Sequence, residues 1–234
     1  MKPRELFNEV KRIALPIQSV CEVGVYFADK CALKMFITAK IPATLIEADP
    51  ACIEDLKSAY GNLPSVQIIP KAIWHERTQL KFYRSNASTF AGAVGGSPAV
   101  INDSYQLRDQ DSFAVDTVLF SDVDSGNFDL VLIDVEGAEY NVLQHMKSRP
   151  KVLSLEIRAS SYQNPRLHEI QNWLRENDYK LWFHNDTDSV FIRGNPSFTI
   201  SQKFYYGVLN FRTNWEQGYQ KQKKKIRQLL KIKH

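Results

Sequence analysis

The stretch Phe128-Asp129-Leu130-Val131-Leu132-Ile133-Asp134-Val135-Glu136-Gly137-Ala138-Glu139 decides the fold. Its apolar run shows no polar alternation, which is how a strand covered on both faces of a sheet reads. Asp134 and Glu136 follow at the carboxyl end, and at the period of two they point to the same side of the sheet. Gly137 lets the backbone turn sharply. Glu139 then falls in the first turn of a helix, where it either complements the helix dipole or faces a site. Ligands of open α/β sheets sit over strand ends of this kind. Two carboxylates there repel each other unless a cation or ligand faces them, so Asp134 and Glu136 are candidate site residues.

Working outward, similar apolar runs occupy Ser19–Val25, Ala43–Ala48, Val66–Ile73 and Val152–Ile157, alternating with helical patterns. That alternation is the signature of a parallel sheet flanked by helices. Leu33, Phe36 and Ile37 predict a helix within Asp29–Lys40. Asp49-Pro50 opens another, with Ile53, Leu56 and Tyr60 as its buried stripe and Gly61 at its end. Asn164-Pro165 opens a third, on which Leu167, Ile170, Trp173 and Leu174 share a face. Lys180–His184 and Ser189–Arg193, joined by Asn185-Asp186-Thr187-Asp188, close the sheet as an antiparallel hairpin. The Val152–Ile157 run brings Glu156 to a strand end beside that of Asp134. The expected organisation is an N-terminal helix in 1–18, an α/β domain over 19–200 and an extension over 201–234. Within the domain, Ser85–Asp111 is polar, carries Gly92, Gly95 and Gly96, and has no clear period, as a substrate lid or a disordered loop would.

The first run ends Glu22-Val23-Gly24-Val25-Tyr26-Phe27-Ala28, a strand entering a glycine turn. Such a turn brings backbone N–H groups close to a ligand. The second ends Leu45-Ile46-Glu47-Ala48-Asp49-Pro50. An acid at this place, roughly 20 residues beyond the glycine, is suited to accept hydrogen bonds from both hydroxyls of a ribose. Glu22, beside the glycine, faces the other end of such a ligand. The pair Gly24 and Glu47 fits either S-adenosylmethionine or a nicotinamide dinucleotide.

The length, 234 residues, suits one α/β domain with a sizeable core. Hydrophobic residues make up 44% and charged residues 24%, as in an ordinary globular protein, and no apolar run is long enough for a membrane helix. Charges lie where a signal peptide would have its apolar segment, so a cytoplasmic location is expected. Cys21, Cys31 and Cys52 lack metal-ligand spacing and read as small buried side chains. The net charge of +4 is unevenly distributed. Trp215–His234 carries seven Lys and Arg against Glu216, a charge of +6, leaving −2 on the rest. A nucleic-acid enzyme would spread positive charge over its body, so no nucleic-acid partner is expected. In the tail, Trp215, Tyr219, Ile226, Leu229 and Leu230 recur at near-helical spacing among lysines. That pattern suits either a solvated helix or peripheral contact with an anionic membrane.

Over roughly Ser19 to Arg193 the sequence resembles the FkbM family of methyltransferases. Ile133-Asp134-Val135-Glu136-Gly137-Ala138-Glu139 matches the family's I-D-x-E-G-x-E signature. Glu22-Val23-Gly24, Glu47-Ala48-Asp49-Pro50, Lys71-Ala72-Ile73, Leu155-Glu156-Ile157 and Asp188–Arg193 follow in the same order. The resemblance implies a Rossmann-like class I methyltransferase fold, a mostly parallel seven-stranded sheet ending in an antiparallel hairpin, with S-adenosyl-L-methionine as cofactor. It implies cofactor binding by Glu22, Gly24, Glu47, Ala72 and Asp134, and places Asp134, Glu136 and Glu156 around the methyl-transfer point. No metal is assigned. The implied acceptor is a hydroxyl of a sugar, glycan or small natural product. Three departures stand out: Tyr26 replaces a small polar residue of the family's glycine loop, Ala28 replaces its last glycine, and Leu132 replaces a common lysine.

Transfer to a hydroxyl needs a base for the hydroxyl proton, a role that Asp134 or Glu136 fills, with His184 as a weaker candidate. Two alternatives stand beside this reading. An NAD-dependent sugar-modifying enzyme uses the same turn and acid, although the first turn lacks GxGxxG. A non-catalytic domain of the same fold would explain Tyr26, Ala28 and Leu132.

Overall fold

The computed structural model describes residues 6–85, 89–94, 106–157, 163–185 and 188–211. A seven-stranded sheet forms the centre. Its parallel strands are β1 (Val20–Val23), β2 (Ala43–Glu47), β3 (Val66–Pro70), β8 (Leu130–Ile133) and β9 (Val152–Leu155). The hairpin β10 (Tyr179–Asn185) and β11 (Asp188–Arg193) completes it. The order is β10-β11-β9-β8-β1-β2-β3, with β11 antiparallel to β9 and every contact from β9 to β3 parallel. The expected class I fold with its closing hairpin is therefore present.

Alternate residues of each central strand serve opposite layers. Val20, Leu45, Leu130, Leu132 and Val152 join one core cluster, and Cys21, Val23, Ile46, Val131, Ile133, Leu153 and Leu155 the other. Helices α1 (Leu6–Arg12), α2 (Lys34–Thr38) and α3 (Pro50–Tyr60) cover the first face through Phe7, Val10, Phe36, Leu56 and Tyr60. Helices α5 (Glu139–Leu143) and α6 (Leu167–Glu176) cover the second through Val142, Leu143, Ile170 and Leu174, with Phe120 of the short α4 (Phe120–Val123). A last helix, α7 (200–211), returns to the first face with Tyr206 and Leu209. Cys21, Cys31 and Cys52 are free and buried, as expected.

The signals at Asp49 and Asn164 hold at atomic level. Asp49 caps α3 by accepting a hydrogen bond from the Ala51 N–H at 2.8 Å, with Pro50 in the first turn. Asn164 accepts from the Arg166 N–H at 2.8 Å just ahead of α6. The helix expected over Asp29–Lys40 is shorter. Only Lys34–Thr38 is helical, because the Glu22 carboxylate takes the N–H groups of Ala32 and Leu33 and so fixes a turn there.

The run Val66–Ile73 is two strands. After Pro70, which has no N–H for a ladder, the chain leaves the main sheet, and β4 (Ala72–Ile73) pairs with β7 (Ser112–Val118). With β5 (Gln79–Arg84) and β6 (Thr89–Ala91) these form a second, four-stranded sheet of order β4-β7-β5-β6. Part of the segment Ser85–Asp111 is thus a strand rather than irregular chain, and 109–111 is a 3₁₀ turn. Its stretches 86–88 and 95–105, with Gly95 and Gly96, lie outside the described residues, as does the amphipathic pattern of 215–234. No helix among the described residues is long and apolar enough to cross a membrane.

Candidate active site

Register brings the candidate residues together. Val23 pairs with Ile46 and with Ile133, and Ile133 pairs with Leu155. The residue after each of these is Gly24, Glu47, Asp134 and Glu156, one row across the carboxyl end of the sheet. The ladder continues one rung into the row: the N–H groups of Gly24, Asp134 and Glu156 donate to Ile46, Val23 and Ile133 carbonyls at 2.9, 3.0 and 3.2 Å. Above the row lies a cleft of about 330 Å³, within the usual size of a small-molecule site. Glu22, Gly24, Glu47, Ala72, Asp134 and Glu136 all line it. Trp74, Phe82 and Thr89 of the second sheet's region form the opposite wall, so the unpredicted sheet roofs the cleft.

Gly24 is required by the main chain. It sits at φ +83°, and a Cβ there would lie 1.8 Å from the Asp134 carbonyl oxygen. The expected helix N-terminus behind this glycine is absent, since residues 25–33 form turns. Tyr26 takes a left-handed conformation, φ 64°, its ring edge-on to Phe27 at 4.7 Å and lining the cleft. Its N–H donates to Glu47 Oε2 at 2.7 Å. Ala28 keeps an ordinary φ and packs in the core, so the loss of the loop's last glycine is tolerated. Leu132 is a buried core residue, apolar where the family commonly carries lysine.

The two acids on the cofactor side differ from expectation in how their oxygens are engaged. Glu47 Oε1 accepts the Ala48 and Asp49 N–H groups at 2.7 and 2.8 Å, in addition to Tyr26 on Oε2. A carboxylate has about four acceptor sites, so these three bonds leave Glu47 with reduced capacity for ribose hydroxyls. Burial raises its pKa against those three bonds. Glu22 accepts from Ala32 and Leu33 N–H at 3.1 and 3.2 Å and from the Cys31 thiol at 3.3 Å. Burial pushes it up to about 7.

Asp134, Glu136 and Glu156 bring carboxylate oxygens within 4.8 Å of one another. They converge by a route other than strand period, because β8 ends at Ile133 and Glu136 is left-handed at φ 55°. Asp134 is exposed on the cleft, where partial desolvation between the cleft walls raises its pKa and the hydrogen bond from Glu156 opposes that rise. Glu156 is pushed up to about 10 by burial and by the charges of Asp134 and Glu136. Three carboxylates this close retain a proton or hold a cation between them. Glu139, in contrast, is a fully buried anchor. Its Oε1 accepts from Val135 and Gly137 N–H at 3.2 and 3.1 Å and its Oε2 from the Asn164 amide, which fixes the turn carrying Glu136. Burial raises Glu139 to about 7. His184 does not line this cleft. Its Nδ1 meets Ser189 Oγ at 3.1 Å, and it borders a separate groove with Tyr179 and Phe191.

Asp49 is a link that sequence reasoning saw only as a cap. Its carboxylate also takes a two-pronged bond from Arg84 of β5 at 2.5 and 2.7 Å and one from the Thr89 hydroxyl of β6 at 3.0 Å. Burial works against its charge, but these donors outweigh it and hold the pKa below the usual carboxylate range. Asp49 thereby ties the roof to the floor.

A mostly parallel sheet closed by a reversed hairpin, with acids across its carboxyl end beneath a cleft, is the class I methyltransferase fold. The model of the methyltransferase FkbM domain matches residues 22–181, and the chain belongs to that family. It is an S-adenosylmethionine-dependent methyltransferase. Among solved structures it is similar to a putative caffeoyl-CoA O-methyltransferase from Staphylococcus aureus, with 13% identity, 80% of each chain covered and a TM-score of 0.44. It is also similar to the S-adenosylhomocysteine-bound methyltransferase PaMTH1 of Podospora anserina, with 12% identity, 82% of this chain and 76% of that one covered, and a TM-score of 0.42. A third is the glycopeptide N-methyltransferase MtfA complexed with S-adenosylmethionine, at 9% identity, 80% and 87% coverage and a TM-score of 0.39. A comparison with curated protein sequences finds no match.

Proposed function

We propose that the chain transfers the methyl group to a hydroxyl oxygen of a sugar, glycan or small natural product, with Asp134 as the base. The observation that carries this reading is the Asp134–Glu136–Glu156 cluster, of which Asp134 and Glu136 line the cleft; desolvation raises Asp134, and burial with the neighbouring charges raises Glu156. A neutral hydroxyl must shed its proton as the new bond forms, and a carboxylate raised toward neutrality is better matched to that task than an ordinary one. Held by Gly24, Glu47 and Ala72, bound S-adenosylmethionine would supply an activated methyl group to the hydroxyl oxygen and would leave as the neutral thioether. The hydroxyl proton passes to Asp134. Glu156, protonated, hydrogen-bonds Asp134 and keeps it within the row, while Glu136 adds negative charge favourable to a positive donor.

The donor set suits the cofactor. Glu47 keeps a reduced acceptor capacity for ribose hydroxyls, and Gly24 and Ala72 present main chain with little side chain to the cleft. Trp74, Phe82 and Val135 offer apolar surface to a base. Glu22 contributes by holding the 31–33 turn that borders the cleft.

The test is calorimetric titration with S-adenosylmethionine, S-adenosylhomocysteine and NAD, followed by transfer of labelled methyl to a panel of hydroxyl acceptors. The two adenosyl compounds bind, NAD does not, and Glu47→Ala weakens binding. Asp134→Asn lowers turnover on the oxygen acceptor by about 10²–10⁴-fold, the usual contribution of a positioned base. Label appearing only on nitrogen acceptors, or near-normal turnover in Asp134→Asn, overturns the proposal.

A further inference from the structure

Helix α7 has one face inside the protein and one that is exposed and unpartnered among the described residues. Tyr206 and Leu209 are buried, Tyr206 stacking near Phe183 and donating its hydroxyl to Glu9 Oε2 at 2.9 Å. On the other side Ile200, Phe204, Val208 and Phe211 are 88%, 74%, 51% and 72% exposed. Their spacing of four, four and three residues makes them one stripe along the helix. Isolated exposed apolar side chains need no explanation; a row of four along one helix face, running into a strongly basic stretch of sequence, is the pattern of an interfacial helix.

The direction of the helix is fixed by its polar contacts. Near its start Gln202 donates to the Arg12 carbonyl at 3.1 Å. Near its end Asn210 accepts from the His184 N–H at 3.2 Å and donates to the Trp182 carbonyl at 3.0 Å. His184 pairs with Ser189, and Ser189 with Leu155, the residue before Glu156. Phe211 therefore lies toward the end of the sheet that carries the cleft. The chain that continues from it, 212–234, holds Lys221, Lys223, Lys224, Lys225, Arg227, Lys231 and Lys233 against Glu216.

We propose that the Ile200–Phe204–Val208–Phe211 stripe is a docking surface for an anionic lipid bilayer, with α7 lying in the interface and the following basic segment drawn to the headgroups. The site is separate from the cleft and does not rest on the methyl-transfer reading. Charge selects this occupant. A second copy of the chain would bring two strongly basic segments together, whereas an anionic surface attracts them. Area points the same way. A stripe roughly 18 Å long and 10 Å wide is about 180 Å², far below the roughly 800 Å² per partner of a stable protein interface. Apolar contact and basic attraction together are the two signals that make interfacial binding stable.

Co-sedimentation of the full chain tests this, using vesicles of phosphatidylcholine alone and of equal parts phosphatidylcholine and phosphatidylglycerol. The chain pellets with the mixed vesicles and not with the neutral ones, and added salt reduces binding. Phe204→Ser/Phe211→Ser weakens it by roughly tenfold or more, as expected for removing two aromatic contacts. Ile200→Ser/Val208→Ser does so independently, and both variants keep the wild-type melting temperature because the side chains are exposed. Unchanged vesicle binding in both serine pairs overturns the proposal. So does a dimer in sedimentation velocity that the serine pairs dissociate, because the occupant is then a second copy.

Discussion

Replacing Gly24 with alanine tests whether the row of strand ends is set by main-chain approach. The added Cβ would fall 1.8 Å from the Asp134 carbonyl oxygen and 3.3 Å from Val135 Cγ1, and the nearest atom is backbone, which cannot rotate away. Restoring a contact of about 3.0 Å requires the end of β8 to retreat by more than 1 Å. The residue must also hold φ +83°, which costs an L-residue about 1–2 kcal/mol. Displacing packed main chain adds about 1–3 kcal/mol. The sum, about 2–5 kcal/mol, lowers the melting temperature by roughly 5–15 °C in a chain of this size. The shift carries Asp134 with it, and a misplacement of about 1 Å can cost 10²-fold in rate. Differential scanning calorimetry, S-adenosylhomocysteine titration and turnover at a temperature where the variant is folded separate the two effects. A Gly24→Ala protein that melts, binds and turns over like wild type would refute the assignment of Asp134's position to this contact.

Other perturbations probe the remaining parts. Glu156→Gln mimics the protonated acid and should preserve the fold while altering the alkaline limb of the pH–rate profile, because burial and the neighbouring charges raise Glu156. An unaltered profile would show that Glu156 does not share that proton. Glu22 and Glu139 have folded pKa values raised to about 7, above the unfolded values near 4.5. Their contribution to stability is therefore fully present below about pH 4.5 and lost as pH rises through 7. The melting temperature should fall between pH 5 and pH 8, and a rise over that window would contradict the burial of these acids. Asp49→Ala removes the α3 cap and the bonds to Arg84 and Thr89. It should destabilise the protein by about 2–4 kcal/mol in a denaturant titration and weaken S-adenosylhomocysteine binding; unchanged affinity would mean the roof does not depend on this tie.

The parallel sheet was legible because its central strands β1, β2, β8 and β9 are buried along their whole length and read as mostly apolar runs. The row of acids was legible because each follows such a run directly. The second sheet was not. Its strands β4 and β6 are only two and three residues long, and in the longest, Ser112–Val118, just Val115 and Thr117 are buried, alternating with the exposed Ala114 and Asp116. That period-two signal was present but short, and glycines and polar residues beside it read as loop. Asp134 and Glu136 do meet, but through a left-handed Glu136 held by Glu139, a buried acid whose first-turn position suggested only a dipole or site role. The oxygen bookkeeping of Glu22 and Glu47 was beyond sequence, since their donors lie in turns whose course depends on the acids themselves. Tyr26 shows the same limit: its side chain departs from the family's pattern, while its main chain supplies a bond to Glu47.

The register that aligns the row also sets when it can exist. β1 pairs with β8 through Val20 and Leu130, so the first and fourth members of the floor come together only after 110 intervening steps of chain have been made. Contacts of such separation close slowly, because loop entropy is lost before they reward it. Gly24 and Glu47 emerge early in synthesis but have no partner for the cofactor until β8 slots between β1 and β9. A chain that stops before β8 lacks Asp134 and Glu136, and one that stops before β9 lacks Glu156, so the acid cluster assembles only when the centre of the sheet closes.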